Sequence, residues 1–349
     1  MQKQSAQPAR MNHVLVLGGA GYLGSVLVTR LLHRGYRVRV LDSLIFGESS
    51  LDHVKPHPRF QLVRGDVRDI GAVVRSMKGC DAVVHLAGVV GDPACDENKQ
   101  LAMDVNRAAT RMLVDVARDS GVSRFVFASS CSVYGASESL VCECSALAPL
   151  SVYAQTKVDS ERVLLEAAAN DFAPTVFRLG TLFGSSKRMR FDLVVNLLLA
   201  RAASTGKIAI FNGNQWRPFL HVQDAAYAFI SCLESEPSHI SGEVFNTGSP
   251  HLNLQLKELG DAIVRLIPET RVDALQNDDR RSYRVSFDKI ERVLRFQCRE
   301  TLESGIREMY GVIRSSTITD FASARFNNHI AMRALAQDRV GESSPRIFA

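Results

Sequence analysis

An α/β fold built on a doubly wound parallel sheet is what this chain predicts, on three observations. Short β-branched runs alternate with longer stretches of helical period, the first run ends in a glycine-rich turn that opens at once into a helix, and the second run ends in an aspartate. Alternation of this kind marks βαβ units, and strands apolar on both faces require helices on both sides. The 349 residues suffice for about two domains.

The strands are read as His13–Leu17, Arg37–Asp42, Phe60–Arg64, Ala82–Leu86, Phe125–Ser129, Thr175–Leu179 and Lys207–Phe211. Helices are read at Ser25–His33, Asp69–Met77, Val105–Asp119 and Tyr153–Ala169, the first three closed by Gly35, Gly79 and Gly121. From about Gly180 the rhythm becomes irregular, with a basic loop, an apolar helix and an Asn-rich turn, which predicts a second, smaller lobe of mixed structure. Residues 1–11 read as a tail, 12–180 as the main domain with returns around 207–248, and 181–315 as the interleaved second lobe. Residues 316–349 form an appendage for which a partly helical segment and an oligomer arm both stand as readings.

Composition narrows the class. An apolar fraction of 46% and a net charge of +5, without a long run of Lys and Arg, fit a globular protein with no nucleic-acid partner. No stretch approaches the roughly 18 apolar residues of a membrane span, and the N-terminus lacks the apolar core of a secretory signal. The seven cysteines (Cys80, Cys95, Cys131, Cys142, Cys144, Cys232, Cys298) show no CxxC pairing. Neither a disulfide framework nor a metal site is expected, and a reducing, cytoplasmic setting fits.

The turn Gly18, Gly19, Ala20, Gly21, Tyr22, Leu23, Gly24 places glycines at i, i+3 and i+6. So tight a loop lets backbone N–H groups approach a pyrophosphate at the positive end of the helix dipole. Asp42, some 20 residues on, is where a carboxylate would take hydrogen bonds from a ribose 2′-OH. It would also repel a 2′-phosphate, so NAD is expected over NADP. Asp66 and Val67 follow the third strand; Asp66 either faces the adenine or caps the next helix. Tyr153 and Lys157, spaced i, i+4, share one helical face just after the strand that ends in Ser129 and Ser130.

With these motifs in order, the chain resembles the extended short-chain dehydrogenase/reductase family, in its NAD-dependent epimerase/dehydratase group acting on nucleotide sugars. The resemblance runs from about residue 12 to about 315 and rests on GGAGYLG (18–24), RGDVRD, HLAG (85–88), ASSCSVYG (128–135), YAQTK (153–157), RPFLHVQD (217–224) and FNTG (245–248). It implies a Rossmann domain for residues 12–180 that holds NAD through Gly18, Gly21, Tyr22, Leu23, Gly24, Asp42, Asp66, Val67, Leu86, Ala87, Gly88, Tyr153 and Lys157. Tyr153 would be the acid or base, Lys157 would bind the nicotinamide ribose, Ser130 would hydrogen-bond the reacting sugar oxygen, Arg217 would hold the substrate diphosphate, and Asn106 would stand behind the site. A homodimer through the helices at 105–119 and 153–169 is implied as well.

Departures narrow the reaction. The family's 4,6-dehydratases carry Asp and Glu after the catalytic hydroxyl, where this chain has Cys131 and Ser132, and serine cannot serve as the base for C5 deprotonation. Cys131 is either a substrate-side proton donor or packing. His221 and Asp224 read as a satisfied polar pair. Asp92, Pro93 and Cys95 are candidate specificity residues, and Ser185–Asn196 either receives the nucleotide or is a solvated loop. The expected activity is NAD-dependent C4 epimerisation of a nucleotide-diphosphate sugar through a transient keto-sugar. An NAD(P)H-dependent ketoreductase of a keto-deoxysugar and a non-catalytic dinucleotide sensor are the alternatives.

Overall fold

Strand β1 (His13–Leu17) is buried on both faces: Val14 and Val16 enter one apolar layer, Leu15 and Leu17 the other. A period-2 strand inside a helical sandwich must divide its side chains this way. The computed structural model describes residues 11–315, 318 and 320–342, so the N-terminal tail expected at 1–11 lies outside it apart from Met11. The further strands are β2 (Arg37–Asp42), β3 (Phe60–Arg64), β4 (Ala82–His85), β5 (Arg124–Ser130), β6 (Ala136–Val141), β7 (Ala173–Leu179), β8 (Thr181–Phe183), β9 (Lys207–Phe211), β10 (Trp216–His221), β11 (Glu243–Thr247), β12 (Asn253–Gln255), β13 (Arg271–Leu275) and β14 (Ser282–Val285). Seven of them form one parallel sheet in the order β11-β7-β5-β4-β1-β2-β3. The order reverses between β1 and β4, and the carboxyl ends there open the crevice in which such sheets bind ligands.

Helices α1 (Tyr22–His33), α2 (Ile70–Met77), α3 (Asp92–Glu97), α4 (Lys99–Ala102), α5 (Ala109–Asp119), α6 (Val152–Glu166), α7 (Val194–Thr205) and α8 (Val222–Glu234) follow the chain. Beyond them come α9 (Pro237–Ile240), α10 (Leu256–Leu266), α11 (Asp288–Leu294), α12 (Leu302–Ser315) and α13 (Asn328–Glu342). The layer around Val14 and Val16 is completed by α1 and α8, and the opposite layer by α2, α5 and α6. A third apolar cluster joins α7, α10 and α12 to β9 and β10 and forms the second lobe. The glycines at the helix ends are left-handed, with φ of 87° at Gly35, 73° at Gly79 and 74° at Gly121.

Three expectations are corrected. Lys207–Phe211 is a strand, but it pairs with β13 in a separate two-stranded sheet. The seventh place in the main sheet is taken by Glu243–Thr247 against β7. The helix expected at Val105–Asp119 begins in a π-helical stretch, Met103–Ala108. That local widening turns Asn106 toward β4's loop, where it bonds Val89 N (2.8 Å), Val89 O (2.9 Å) and Thr156 Oγ1 (3.2 Å). Finally, Cys142 and Cys144 are joined in a disulfide across one intervening residue, a spacing the absence of CxxC does not exclude. In the C-terminal appendage, α13 folds back onto α3 of its own chain.

Candidate active site

The carboxyl ends of β1, β2, β4 and β5 line a cavity of about 530 Å³. At its floor, Gly18 has φ +81° and passes so near β4's end that an added Cβ would lie 2.7 Å from Ala87 N. At Gly24 an added Cβ would lie 2.2 Å from Gly18 O, so only glycine lets the turn close under α1. Asp42 accepts from Ala20 N (2.9 Å, Oδ2) and Leu44 N (2.8 Å, Oδ1), which fixes its carboxylate at the cavity edge. Burial pushes its pKa up, opposed by those two N–H groups.

Helix α6 starts at Ser151, whose hydroxyl caps Ala154 N (3.1 Å), and so sets Tyr153 in the first turn with Lys157 one turn on. Lys157 is 3% exposed, donates from Nζ to Ala128 O (2.7 Å), and lies 4.6 Å from the Phe127 ring centroid and 5.7 Å from that of Tyr153. Burial brings its pKa down to about 8, with Cys95 and Glu161 opposing. Burial pushes the Tyr153 phenol up, as do Cys95 and Asp92, while Ser130 and Arg190 act downward. Ser130 ends β5, accepts from Ser132 N (3.1 Å) and faces the same cavity. Beneath them a buried ion pair braces the sheet: Arg178 forks onto Glu161 (Nη2–Oε2, 2.7 Å), which also accepts from Ser129, and Arg178 donates to Tyr134 (2.9 Å).

The sequence profile of the NAD dependent epimerase/dehydratase family matches residues 14–248. The chain belongs to that family. It is 30% identical over 280 residues to UDP-glucose 4-epimerase of Lactobacillus helveticus, covering 74% of this chain and 83% of that protein. The corresponding enzyme of Corynebacterium glutamicum is 30% identical over 68% of this chain and 75% of its own. Among solved structures, MoeE5 in complex with UDP-glucose and NAD is 29% identical, with TM-score 0.75, over 87% of this chain and 99% of that one. The dTDP-glucose 4,6-dehydratase DesIV of Streptomyces venezuelae, bound to NAD and TYD, is 26% identical, with TM-score 0.79, over 87% and 97%.

This chain is therefore an enzyme of the NAD-dependent epimerase/dehydratase family, and NAD is its cofactor. The residues present fit the group: a glycine cradle that a Cβ would fill, a fixed carboxylate at Asp42, and a Tyr–Lys pair lining the same cavity. Gly18, Gly21, Leu23, Gly24, Asp66, Val67, Leu86, Ala87 and Gly88 all line that cavity. Tyr22 lines it too, but its hydroxyl is committed to Gly184 O (2.6 Å) and Asn196 Nδ2 (3.2 Å) and ties the two lobes together. Asp66 is forked by Arg68 (2.9 and 2.6 Å), and the cap of α2 is Asp69, not Asp66.

Other expectations are not met by the geometry. Cys131 is 1% exposed, points its thiol at Arg178 O (3.2 Å) and is absent from the cavity wall, which Ser132 takes instead. A one-residue step on the short 3₁₀ turn sends Cys131 into the core, so it is packing and not a substrate contact. His221 and Asp224 do not pair: His221 meets Glu308 (2.9 Å), and Asp224 accepts from Arg299 N (3.1 Å) and Glu300 N (3.0 Å). Nor is Ser185–Asn196 simply a solvated loop, since Arg188 and Arg190 are 5% and 9% exposed and line the cavity. Cys95 is fully buried, whereas Asp92 lines the cavity and accepts from Ser151 (2.6 Å) and Arg281.

Arg217 reaches the cavity with its guanidinium held by Asp279 (3.2 Å), Gln215 (3.2 Å) and the carbonyls of Trp216 (3.0 Å) and Arg281. Asp279 also takes Arg281 Nε (2.9 Å) and Nη2 (2.6 Å). Burial acts upward on Asp279, yet these Arg281 bonds hold it at about 2. One carboxylate thus holds two guanidinium groups at the cavity wall. Arg281 and Tyr283 were missed by sequence reasoning; the charged run DDRRSYR was the available signal, with nothing in it to say which arginine turns inward.

Proposed function

We propose that the chain epimerises a nucleotide-diphosphate sugar at C4 through a transient keto-sugar. The observation that carries this is the composition of the reacting end of the cavity. Tyr153, Lys157 and Ser130 converge there, while Cys131 and Ser132 stand where elimination would need two carboxyl groups. The carboxylate on the same wall, Asp92, is bound to Arg281 and Ser151 and is not poised as a base.

In this reading Tyr153 takes the proton of the C4 hydroxyl and later returns it, with the Lys157 ammonium favouring the phenolate and Ser130 donating to the same oxygen. NAD, when bound, supplies the hydride acceptor and the hydride that is returned. Arg217 and Arg281 grip the diphosphate, so the sugar can present either face to the reacting centre while the nucleotide stays held. We also propose a homodimer paired through α5 and α6.

The test is incubation with UDP-glucose, UDP-galactose and their dTDP and uronic acid counterparts, with chromatographic separation of the epimers. Epimer formation without net absorbance change at the nicotinamide band is expected. Sustained NADH consumption with a keto-sugar, and no epimer from any nucleotide sugar, would overturn the reading. Tyr153→Phe should lose about 10²–10⁴-fold in turnover, the scale of a positioned acid–base group, while still binding NADH.

A further inference from the structure

We propose that Arg188 and helix α13 close the dinucleotide site from outside, Arg188 Nε–H being held for a phosphate oxygen of the dinucleotide and α13 forming the roof that keeps that contact dry. The inference rests on reading the cavity as the NAD site and extends that site to a helix well beyond residue 248, where the family match ends.

Arg188 is 5% exposed, and its Nε has no hydrogen-bond partner among the described residues. Buried donors are nearly always satisfied, so an orphan N–H on a residue of the cavity lining marks a place where a ligand oxygen belongs. Two contacts fix the group: Cζ lies 3.7 Å from the Phe46 ring centroid, and Nη2 donates to Asn328 Oδ1 (2.7 Å). Asp42 and Asp192 attract the guanidinium and Arg190 repels it; burial still brings its pKa down to about 9, as for a cation short of anionic partners. Asp42 marks the adenosine end of the cavity, so the missing partner lies on the dinucleotide side. A planar, charge-assisted donor suits a phosphate oxygen.

Asn328, which holds Arg188, is itself the first residue of α13. Its backbone N–H bonds Asp192 Oδ2 (3.3 Å) and its Nδ2 bonds Val90 O (3.3 Å), beyond the end of β4. The segment before it is pinned by Phe191 N to Phe326 O (2.9 Å), and His329 meets Glu97 (2.5 Å). Ala331 and Met332, each 5% exposed, pack with Val89, Ala94 and Cys95, against which Phe46 and Tyr153 also lie. Met332, Leu335 and Ala336 form part of the cavity wall itself. Guanidinium and roof are therefore one unit, and lifting the helix would expose both Arg188 and the apolar ceiling.

The experiment uses full-length protein loaded with NADH and chased with excess NAD, which gives the release rate, together with titrations of NADH, NADPH and adenosine. Arg188→Met is expected to weaken NADH about tenfold, the scale of one charge-assisted hydrogen bond, and to leave adenosine, which has no phosphate, unaffected. Met332→Ala with Leu335→Ala thins the roof without ending the helix and is expected to speed NADH release about tenfold. Equal losses on NADH and NADPH place the pyrophosphate at Nε; loss on NADPH alone, with NADH unchanged, overturns the proposal. Unchanged binding of both dinucleotides to Arg188→Met, an equal loss of adenosine, or wild-type NADH release from the roof variant each overturns the proposal. If the unaltered protein binds no dinucleotide, the cofactor site itself falls, and this inference with it.

Discussion

Replacing Lys157 by Met should abolish turnover and also change how stability depends on pH. The amine is 3% exposed, and burial brings its pKa from 10.5 to about 8. Between those values the unfolded chain holds a proton that the folded chain has released, so the unfolding free energy rises with pH across that window and is level on either side. The interval corresponds to about 3 kcal/mol at 1.36 kcal/mol per unit. Urea unfolding of cofactor-free wild type and Lys157→Met, followed from about pH 7 to about pH 10, isolates this contribution because the other titrations cancel in the difference. Wild type should gain about 3 kcal/mol on the variant over that range. A difference that stays level with pH would refute a buried, charged amine beside Tyr153. The same protonation bears on catalysis: kcat/KM of the wild type should decline above about pH 8, where the ammonium that favours the phenolate is lost.

Glu161→Gln should destabilise the fold by about 3–5 kcal/mol, because it strands the Arg178 guanidinium in a site where both side chains are 5% exposed or less. Chemical denaturation of the single variant and of Glu161→Gln/Arg178→Met should show most of that loss recovered in the double; a loss below about 1 kcal/mol in the single would contradict the argument. Gly24→Ala should cost about 1–3 kcal/mol and weaken NADH binding, since the new methyl would meet backbone at Gly18 O and Gly19. An alanine variant that binds NADH as tightly as wild type would show that the turn is not the cradle.

Local pattern carried the sequence reading furthest where chemistry is local. The strands β1 to β5 and β7, the glycines that end helices and the Tyr–Lys spacing are set by nearest neighbours and by period, and all were legible. Pairing is not local. KIAIF at 207–211 has the alternation of a sheet strand, and nothing within it distinguishes β7 from β13 as its neighbour. EVFNT at 243–247 is short and half polar, yet it takes the seventh place because its register against Thr175–Leu179 buries Phe245. The π-helical stretch at Met103–Ala108 leaves the apolar spacing almost unchanged, so the turn of Asn106 could not be read. Within the site, Cys131 and Ser132 were separable only once the 3₁₀ turn was known. Arg188, Arg281 and α13 enter the cavity through contacts made across more than 100 residues.

Placing Glu243–Thr247 beside Ala173–Leu179 has a consequence for how the molecule is assembled. On a ribosome, the seven-stranded sheet stays one strand short until Glu243–Thr247 has emerged, well after Gly180. A fragment cut after Gly180 would present β7 as a bare hydrogen-bonding edge, with the apolar layer beneath it lacking α8. The two lobes are thus interleaved along the chain, and the main sheet and one of its apolar layers are completed by residues that follow the start of the second lobe.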